Sequence, residues 1–179
     1  ILVIGALPSS LVNLRGALIK DLILNGYNVS VAANDIFSDR DTCNFFQDIG
    51  VKTYSIPISR AGLNPLSEIS TLISIIKLYK SLKPNIVLAY TVKPVVWGGI
   101  ASYFSKKLNF FALITGLGYA FTGKAQGKRL IIQSITRILY KIGLINADSV
   151  IFQNPDDESE FRQSKLINKT KKTLVVNGS

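Results

Sequence analysis

Seven short apolar runs punctuate the chain: Ile1 to Ile4, Tyr27 to Ala33, Val51 to Ile56, Asn85 to Tyr90, Asn109 to Ile114, Ser149 to Gln153 and Thr173 to Val176. Runs of this length that stay apolar nearly throughout predict strands buried on both faces. Segments with helical periodicity lie between them, and that alternation predicts β-α units and a parallel sheet with helices on both sides. Such a series winds right-handed and reverses direction once. The expected architecture is therefore a Rossmann-like, doubly wound α/β fold of about seven strands, ordered 3-2-1-4-5 and onward. No internal repeat or low-complexity segment interrupts it.

The helices have their own punctuation. Leu14, Leu18 and Leu22 repeat at helical spacing and Asn25-Gly26 provides a stop. Asn64-Pro65 opens a long helix carrying Leu66, Ile69, Ile73, Ile76 and Tyr79, and Lys83-Pro84 closes it. Further helices are predicted from Pro94 to about Lys107, from about Gly127 to Ile145, after Asn154-Pro155 and, more briefly, over Asp41 to Gly50, with a loop at Ser59 to Leu63. Asp156, Asp157, Glu158 and Glu160 complement the dipole at the start of the last helix, which is reason enough for their presence.

Composition narrows the chemistry. The 179 residues include no His and one Cys, Cys43, so imidazole acid–base catalysis, a Ser-His-Asp triad, a thiolate zinc site and an internal disulfide are all excluded. Hydroxyls, carboxylates, Lys, Arg and backbone dipoles remain. A lone cysteine fits a reducing compartment. No signal peptide opens the chain, and the longest strongly apolar uncharged run, Leu108 to Gly123, holds three glycines and is too short for a membrane span. The chain starts inside its first strand and ends on a strand entering a turn at Asn177-Gly178-Ser179, so it reads as one domain cut from a longer protein.

In a doubly wound sheet the ligand crevice lies at the carboxyl ends of the strands beside the reversal. Here that selects the loop Gly5 to Asn13 after the first strand and the segment Thr91 to Trp97 after the fourth. Gly5-Ala6-Leu7-Pro8-Ser9-Ser10 is either a simple strand-exit turn or a polar loop meeting a phosphate or sugar. It lacks the glycines of a dinucleotide fingerprint and the Walker pattern. Lys93 either holds an anionic group in the crevice or is a solvated lysine. The run from Thr115 to Gly123 lets backbone approach a ligand at Gly116 and Gly118, with Tyr119 and Phe121 either stacking on a sugar or filling the core.

Charge is distributed unevenly. Lys and Arg number 21 against 11 Asp and Glu, and no acid occurs between Ile69 and Ala147. Arg129, Gln133, Arg137 and Lys141 step by four along the helix after Gly127, beside Leu130, Ile131, Ile135, Ile138, Leu139 and Ile142. This pattern suits an ordinary core helix, or one facing anionic lipid. Nucleic acid is not the expected partner, since no recognised nucleic-acid module is present.

Taken in order, the Ile1-to-Ile4 strand, Pro8-Ser9-Ser10, Leu14-Arg15-Gly16, Thr91-Val92-Lys93-Pro94, Ile114-Thr115-Gly116-Leu117-Gly118-Tyr119 and Phe152-Gln153-Asn154-Pro155-Asp156-Asp157 resemble a known pattern. It is that of the amino-terminal half of bacterial family 4 glycosyltransferases with the GT-B fold, in particular those acting on polyprenyl-diphosphate-linked sugars. The resemblance implies the acceptor-binding domain of a two-domain retaining enzyme. A carboxy-terminal donor domain, absent from this chain, would bind the nucleotide-sugar, a UDP-sugar, as co-substrate. The resemblance implies no metal and no other cofactor. It places Ser9, Ser10 and Asn13 in the cleft near the acceptor and the donor phosphate, Arg15 as a support of the first helix start, Lys93 against acceptor phosphate, and Thr115, Gly116, Leu117, Gly118 and Tyr119 on the cleft floor. Many relatives carry a His in that last loop; this chain has none, and no catalytic residue is assigned. The implied partners are a lipid-linked saccharide and an anionic membrane surface at the cytoplasmic face, met by Lys124, Lys128, Arg129 and Arg137. The implied fragment is inactive alone. The alternative is a non-catalytic Rossmann-like module that binds an anionic lipid or a nucleotide.

Overall fold

The computed structural model of the chain describes residues 1–59, 64–105, 107–116 and 127–176. Seven parallel strands form one sheet: β1 (Leu2–Ile4), β2 (Ser30–Ala33), β3 (Lys52–Ser55), β4 (Ile86–Tyr90), β5 (Asn109–Ile114), β6 (Ser149–Phe152) and β7 (Thr173–Val175). Their order is β3-β2-β1-β4-β5-β6-β7, so the chain reverses between β1 and β4, as the sequence predicts. Register is continuous across that point, with Ile4 opposite both Ala32 and Ala89.

Seven α-helices are described: α1 (Pro8–Asn13), α2 (Gly16–Leu24), α3 (Arg40–Asp48), α4 (Pro65–Leu82), α5 (Val92–Ser102), α6 (Lys128–Leu144) and α7 (Pro155–Gln163). Successive strand residues face opposite sides of the sheet. Leu2 and Ile4 therefore join Ile75 and Tyr79 of α4, Val95 and Val96 of α5, Tyr140 of α6 and Phe161 of α7 in one core. Val3 joins Leu11 of α1, Ile19 of α2 and Phe46 of α3 in the other. The helix starts read as Asn-Pro are built that way. Asn64 Oδ1 accepts from Leu66 N at 3.1 Å and Asn154 Oδ1 from Asp157 N at 2.7 Å, each followed by proline at the first helical position. Lys83, before Pro84, leaves the helical region at φ 47° and ends α4.

Three local expectations need correction. The segment from Gly5 to Asn13 is not a single loop: Pro8 presets the backbone and opens α1, which breaks at Leu14 before α2 begins. Helix α5 begins at Val92, before Pro94, because a proline in the first turn removes an N–H that has no intrahelical acceptor there; it ends at Ser102 instead of near Lys107. The row Arg129, Gln133, Arg137 and Lys141 does not share one outer face. Gln133 is buried, Arg137 is half-buried and pairs with Glu160 at 3.6 Å, and Lys141 is exposed. Steps of four residues drift around a helix of 3.6 per turn, and over three steps the drift carries the row from one face to another.

The closest approach of two helices explains which face of α6 points inward. A Cβ added to Gly99 would lie 2.0 Å from the carbonyl oxygen of Gly143, and one added to Gly143 would lie 2.8 Å from that of Val96. Helices α5 and α6 therefore touch backbone to backbone. The small-residue side of α6 is its packing side.

Candidate functional site

A cavity of about 320 Å³ opens at the carboxyl ends of β1 and β4, beside the reversal. Ala6, Leu7, Ser10 and Leu14 line it from the first crossover, Tyr90, Thr91, Val92 and Lys93 from the β4–α5 junction, and Ser59 and Thr115 from the loops after β3 and β5.

Tyr90, the last residue of β4, is fully buried and organises the near wall. The Ser10 hydroxyl donates to the Leu7 carbonyl at 2.7 Å, so its single proton is used and the phenol of Tyr90 donates to Ser10 Oγ at 2.8 Å. Burial pushes the Tyr90 phenol up to about 12, which keeps it a donor at neutral pH. Gly5 is required beside it, since a Cβ there would fall 2.3 Å from the Tyr90 hydroxyl oxygen. Behind the ring, buried Arg15 lies 5.0 Å from the Tyr90 centroid and donates from Nη1 to the Leu14 carbonyl at 2.9 Å. Its Nε has no hydrogen-bond partner among the described residues, and burial pulls the guanidinium below its ordinary value.

Thr91 caps α5 in an unusual conformation, φ 68° and ψ 164°, a region that is essentially glycine's. Its Oγ1 is buried without a hydrogen-bond partner at the cavity wall. Lys93, two residues on in the first turn of α5, is not an unmatched cation. Its Nζ pairs with Glu68 Oε1 at 2.5 Å and donates to Ser59 Oγ at 2.8 Å, while Glu68 Oε2 accepts from Trp97 Nε1 at 2.6 Å. Lys93 and Trp97, four residues apart on α5, present both donors to one carboxylate at the start of α4.

Of the residues expected at the site, the cavity brings together Ser10, Lys93 and Thr115. Gly116 follows at φ 141°. Ser9 faces a neighbouring open depression with Asn34, Asp35 and Arg40, Asn13 is exposed at the end of α1, and Arg15 sits behind Tyr90. The expectations for Leu117, Gly118, Tyr119, Phe121 and Lys124 lie outside the described residues, as do those for the side chains of Lys128 and Arg129. Sequence reasoning placed Thr91 in the crevice segment without a role and missed Tyr90 and Glu68. The available signal for Glu68 was its place as the last acid before the acid-free stretch, on the inward face of an amphipathic helix.

Mostly apolar walls with a few convergent donors suit a small polar ligand. No cluster of potential metal-holding side chains occurs among the described residues, and no described helix is long and apolar enough to cross a membrane.

A family described as glycosyl transferase 4-like matches residues 6–154. The chain belongs to this family. It is 26% identical over 129 residues to the N,N'-diacetylbacillosaminyl-diphospho-undecaprenol alpha-1,3-N-acetylgalactosaminyltransferase of Campylobacter jejuni, a match covering 72% of this chain and 34% of that protein. Among solved structures it is similar to sucrose-phosphate synthase of Thermosynechococcus elongatus, at TM-score 0.67 and 12% identity over 98% of this chain and 47% of that one. It is also similar to MurG of Acinetobacter baumannii, at TM-score 0.58 and 17% identity over 99% of this chain and 45% of that one. These two likenesses carry the fold, a Rossmann-like α/β sheet of the GT-B kind. The match thus spans about a third of the length of the curated relative and under half of each solved chain.

Proposed function

We propose that this chain is the acceptor-side domain of a retaining glycosyltransferase. It would take a hexose or N-acetylhexosamine from a nucleotide-sugar, a UDP-sugar, and place it on a polyprenyl-diphosphate-linked saccharide at the cytoplasmic face of the membrane. The observation that supports this reading is the cavity at the β1/β4 reversal, where Ser10, Thr91, Lys93 and Thr115 line a space sized for part of a saccharide. Membership of a glycosyltransferase family and the likeness to a lipid-linked-sugar transferase point the same way.

The chemistry asked of this side is orientation. A neutral hydroxyl acceptor is held by hydroxyl and ammonium donors on rigid strand and helix ends, with apolar walls excluding water. The leaving nucleotide would be bound by residues of the second domain. The test is an assay of the full-length protein with labelled UDP-sugars and an undecaprenyl-diphosphate-linked saccharide. Label passing into the lipid fraction is expected, and the 179 residues alone should transfer none. Transfer by the isolated chain would overturn the domain assignment; a full-length protein that binds lipid or nucleotide without transferring sugar would replace the enzyme with a binding module.

A further inference from the structure

What the cavity accepts depends on which hydrogen-bonding capacity its walls still have free. Ser10 Oγ commits its one proton to the Leu7 carbonyl at 2.7 Å and accepts from the Tyr90 phenol at 2.8 Å, so it presents a lone pair to the space. Tyr90 holds that direction: the ring is fully buried at the end of β4, and its oxygen lies against Gly5, where an added Cβ would be 2.3 Å away. A phosphate or carboxylate oxygen brings only lone pairs and would meet another at Ser10. A sugar hydroxyl or acetamido N–H brings a proton. Thr91 Oγ1, which has no hydrogen-bond partner among the described residues, can both give and accept.

Charge is balanced in the same sense. Lys93, the cation among the described residues lining the cavity, pairs with Glu68 Oε1 at 2.5 Å. Glu68 comes from α4, a helix none of whose residues lines the cavity, and its carboxylate is 8% exposed. The second oxygen is fixed by Trp97 Nε1 at 2.6 Å. A buried ion pair adds little stability over an apolar pair of the same volume, so its consequence is sought at the cavity wall. There Glu68 cancels the one charge that would attract an anion.

We infer that this cavity selects an uncharged, proton-bearing sugar group and turns away phosphate and carboxylate, with Ser10 as the acceptor for that group and Glu68 as the specificity-determining residue acting through Lys93. Lys93 is then not the acceptor-phosphate contact that the resemblance implies. The inference rests on the proposed saccharide acceptor and narrows the part that enters to a neutral sugar.

The probes are methyl glucoside and methyl glucuronide, which share a ring and differ by a carboxylate, and inorganic diphosphate. Each is titrated at fixed ionic strength into the isotope-labelled 179-residue protein and followed by NMR at the indole N–H of Trp97, the chain's one tryptophan. The native protein should bind the glucuronide about tenfold more weakly than the glucoside and show no saturable response to diphosphate. Glu68→Gln should bind diphosphate and the glucuronide about tenfold more tightly than the native protein does. Its melting temperature should also rise with added diphosphate where the native value does not, a response that a merely structural role for Glu68 would not produce. Glu68→Gln/Lys93→Met should lose that gain. A native protein that binds either anion as tightly as the glucoside would overturn the inference, as would one that binds no probe, or a folded Glu68→Gln without the gain. The native preference keeps the inference testable should Glu68→Gln not fold. Transfer by the full-length protein is read separately: a transferase whose cavity takes anions equally refutes the selectivity alone, and a neutral-selective cavity in a protein that transfers no sugar refutes the proposed activity alone.

Discussion

Glu68→Ala is the substitution whose consequences the structure specifies most fully. The carboxylate is 8% exposed, its partner Lys93 15%, and Trp97 Nε1 has its hydrogen bond to the same group. Removing one member of a buried pair leaves the other charge uncompensated, at a cost of about 3–5 kcal/mol. An indole N–H left without an acceptor adds about 1–3 kcal/mol unless water reaches it. For a domain of this length each kcal/mol lowers the melting temperature by about 2–4 °C, so Glu68→Ala should melt at least about 8 °C below the native protein. Against a total stability of about 5–15 kcal/mol, that is a large share. The assay is thermal unfolding followed by circular dichroism, with Glu68→Gln, Lys93→Met and the combination of the two as companions. Each single change should destabilise, and the pair should recover most of the loss, because it removes both charges and keeps an acceptor for Trp97. A Glu68→Ala melting point within about 1 °C of native, or a combined variant with the summed losses of its parents, would refute a buried, coupled pair.

Gly99→Ala places a methyl 2.0 Å from the Gly143 carbonyl oxygen, a backbone atom that cannot rotate away, so α5 and α6 must separate. The expected loss is about 1–3 kcal/mol or more by chemical denaturation. Thr91→Gly should be more stable than Thr91→Ala by about 1–3 kcal/mol, because only glycine relieves the φ of 68°, and both should lose acceptor affinity in the full-length protein if the hydroxyl serves the site. Alkaline pH dependence is shared by the buried phenols of Tyr79, Tyr90 and Tyr140, all raised by burial, and Tyr90 is the one at the site. Its folded value of about 12 lies above the unfolded value of 10.0, so the fold holds its proton more tightly. Its share of stability is intact below pH 10 and is lost between there and about 12, and Tyr90→Phe should lessen the decline seen in alkaline melts without removing the part due to Tyr79 and Tyr140.

The inner strands were legible because they are largely buried and nearly uniformly apolar, with β1, buried at every residue, the plainest case, whereas the edge strands β3 and β7 are half-buried to exposed. Strand order followed from chirality and the single reversal. Helix α1 was hidden because six residues carry too little periodicity to outweigh the turn chemistry of Pro8-Ser9-Ser10. The direction of α6 was hidden for a different reason: periodicity shows that a helix has two faces, and only packing shows which is inside. The side of α6 that carries Ile131, Ile135, Ile138 and Ile142 looks like core, yet the Gly99–Gly143 contact turns it outward. At the site, position alone located Ser10, Lys93 and Thr115, since the crevice rule depends on topology. It did not reveal that Lys93 is matched by Glu68, which is 25 residues away in sequence, or that Thr91 is strained, since neither property exists before the helices pack.

That matched pair bears on how a lipid-linked acceptor would be divided between the cavity and the surface. Among the described residues lining the cavity Lys93 supplies the cation, and Glu68 already offsets its charge. A diphosphate entering there would meet a neutral pair in which Glu68 repels it while Lys93 attracts it, and desolvating its own charges would find little return. The other donors facing the space, the hydroxyls of Thr91 and Thr115, suit uncharged sugar hydroxyls. On the proposed reading, therefore, the saccharide occupies the cavity at the β1/β4 reversal and the diphosphate lies outside it.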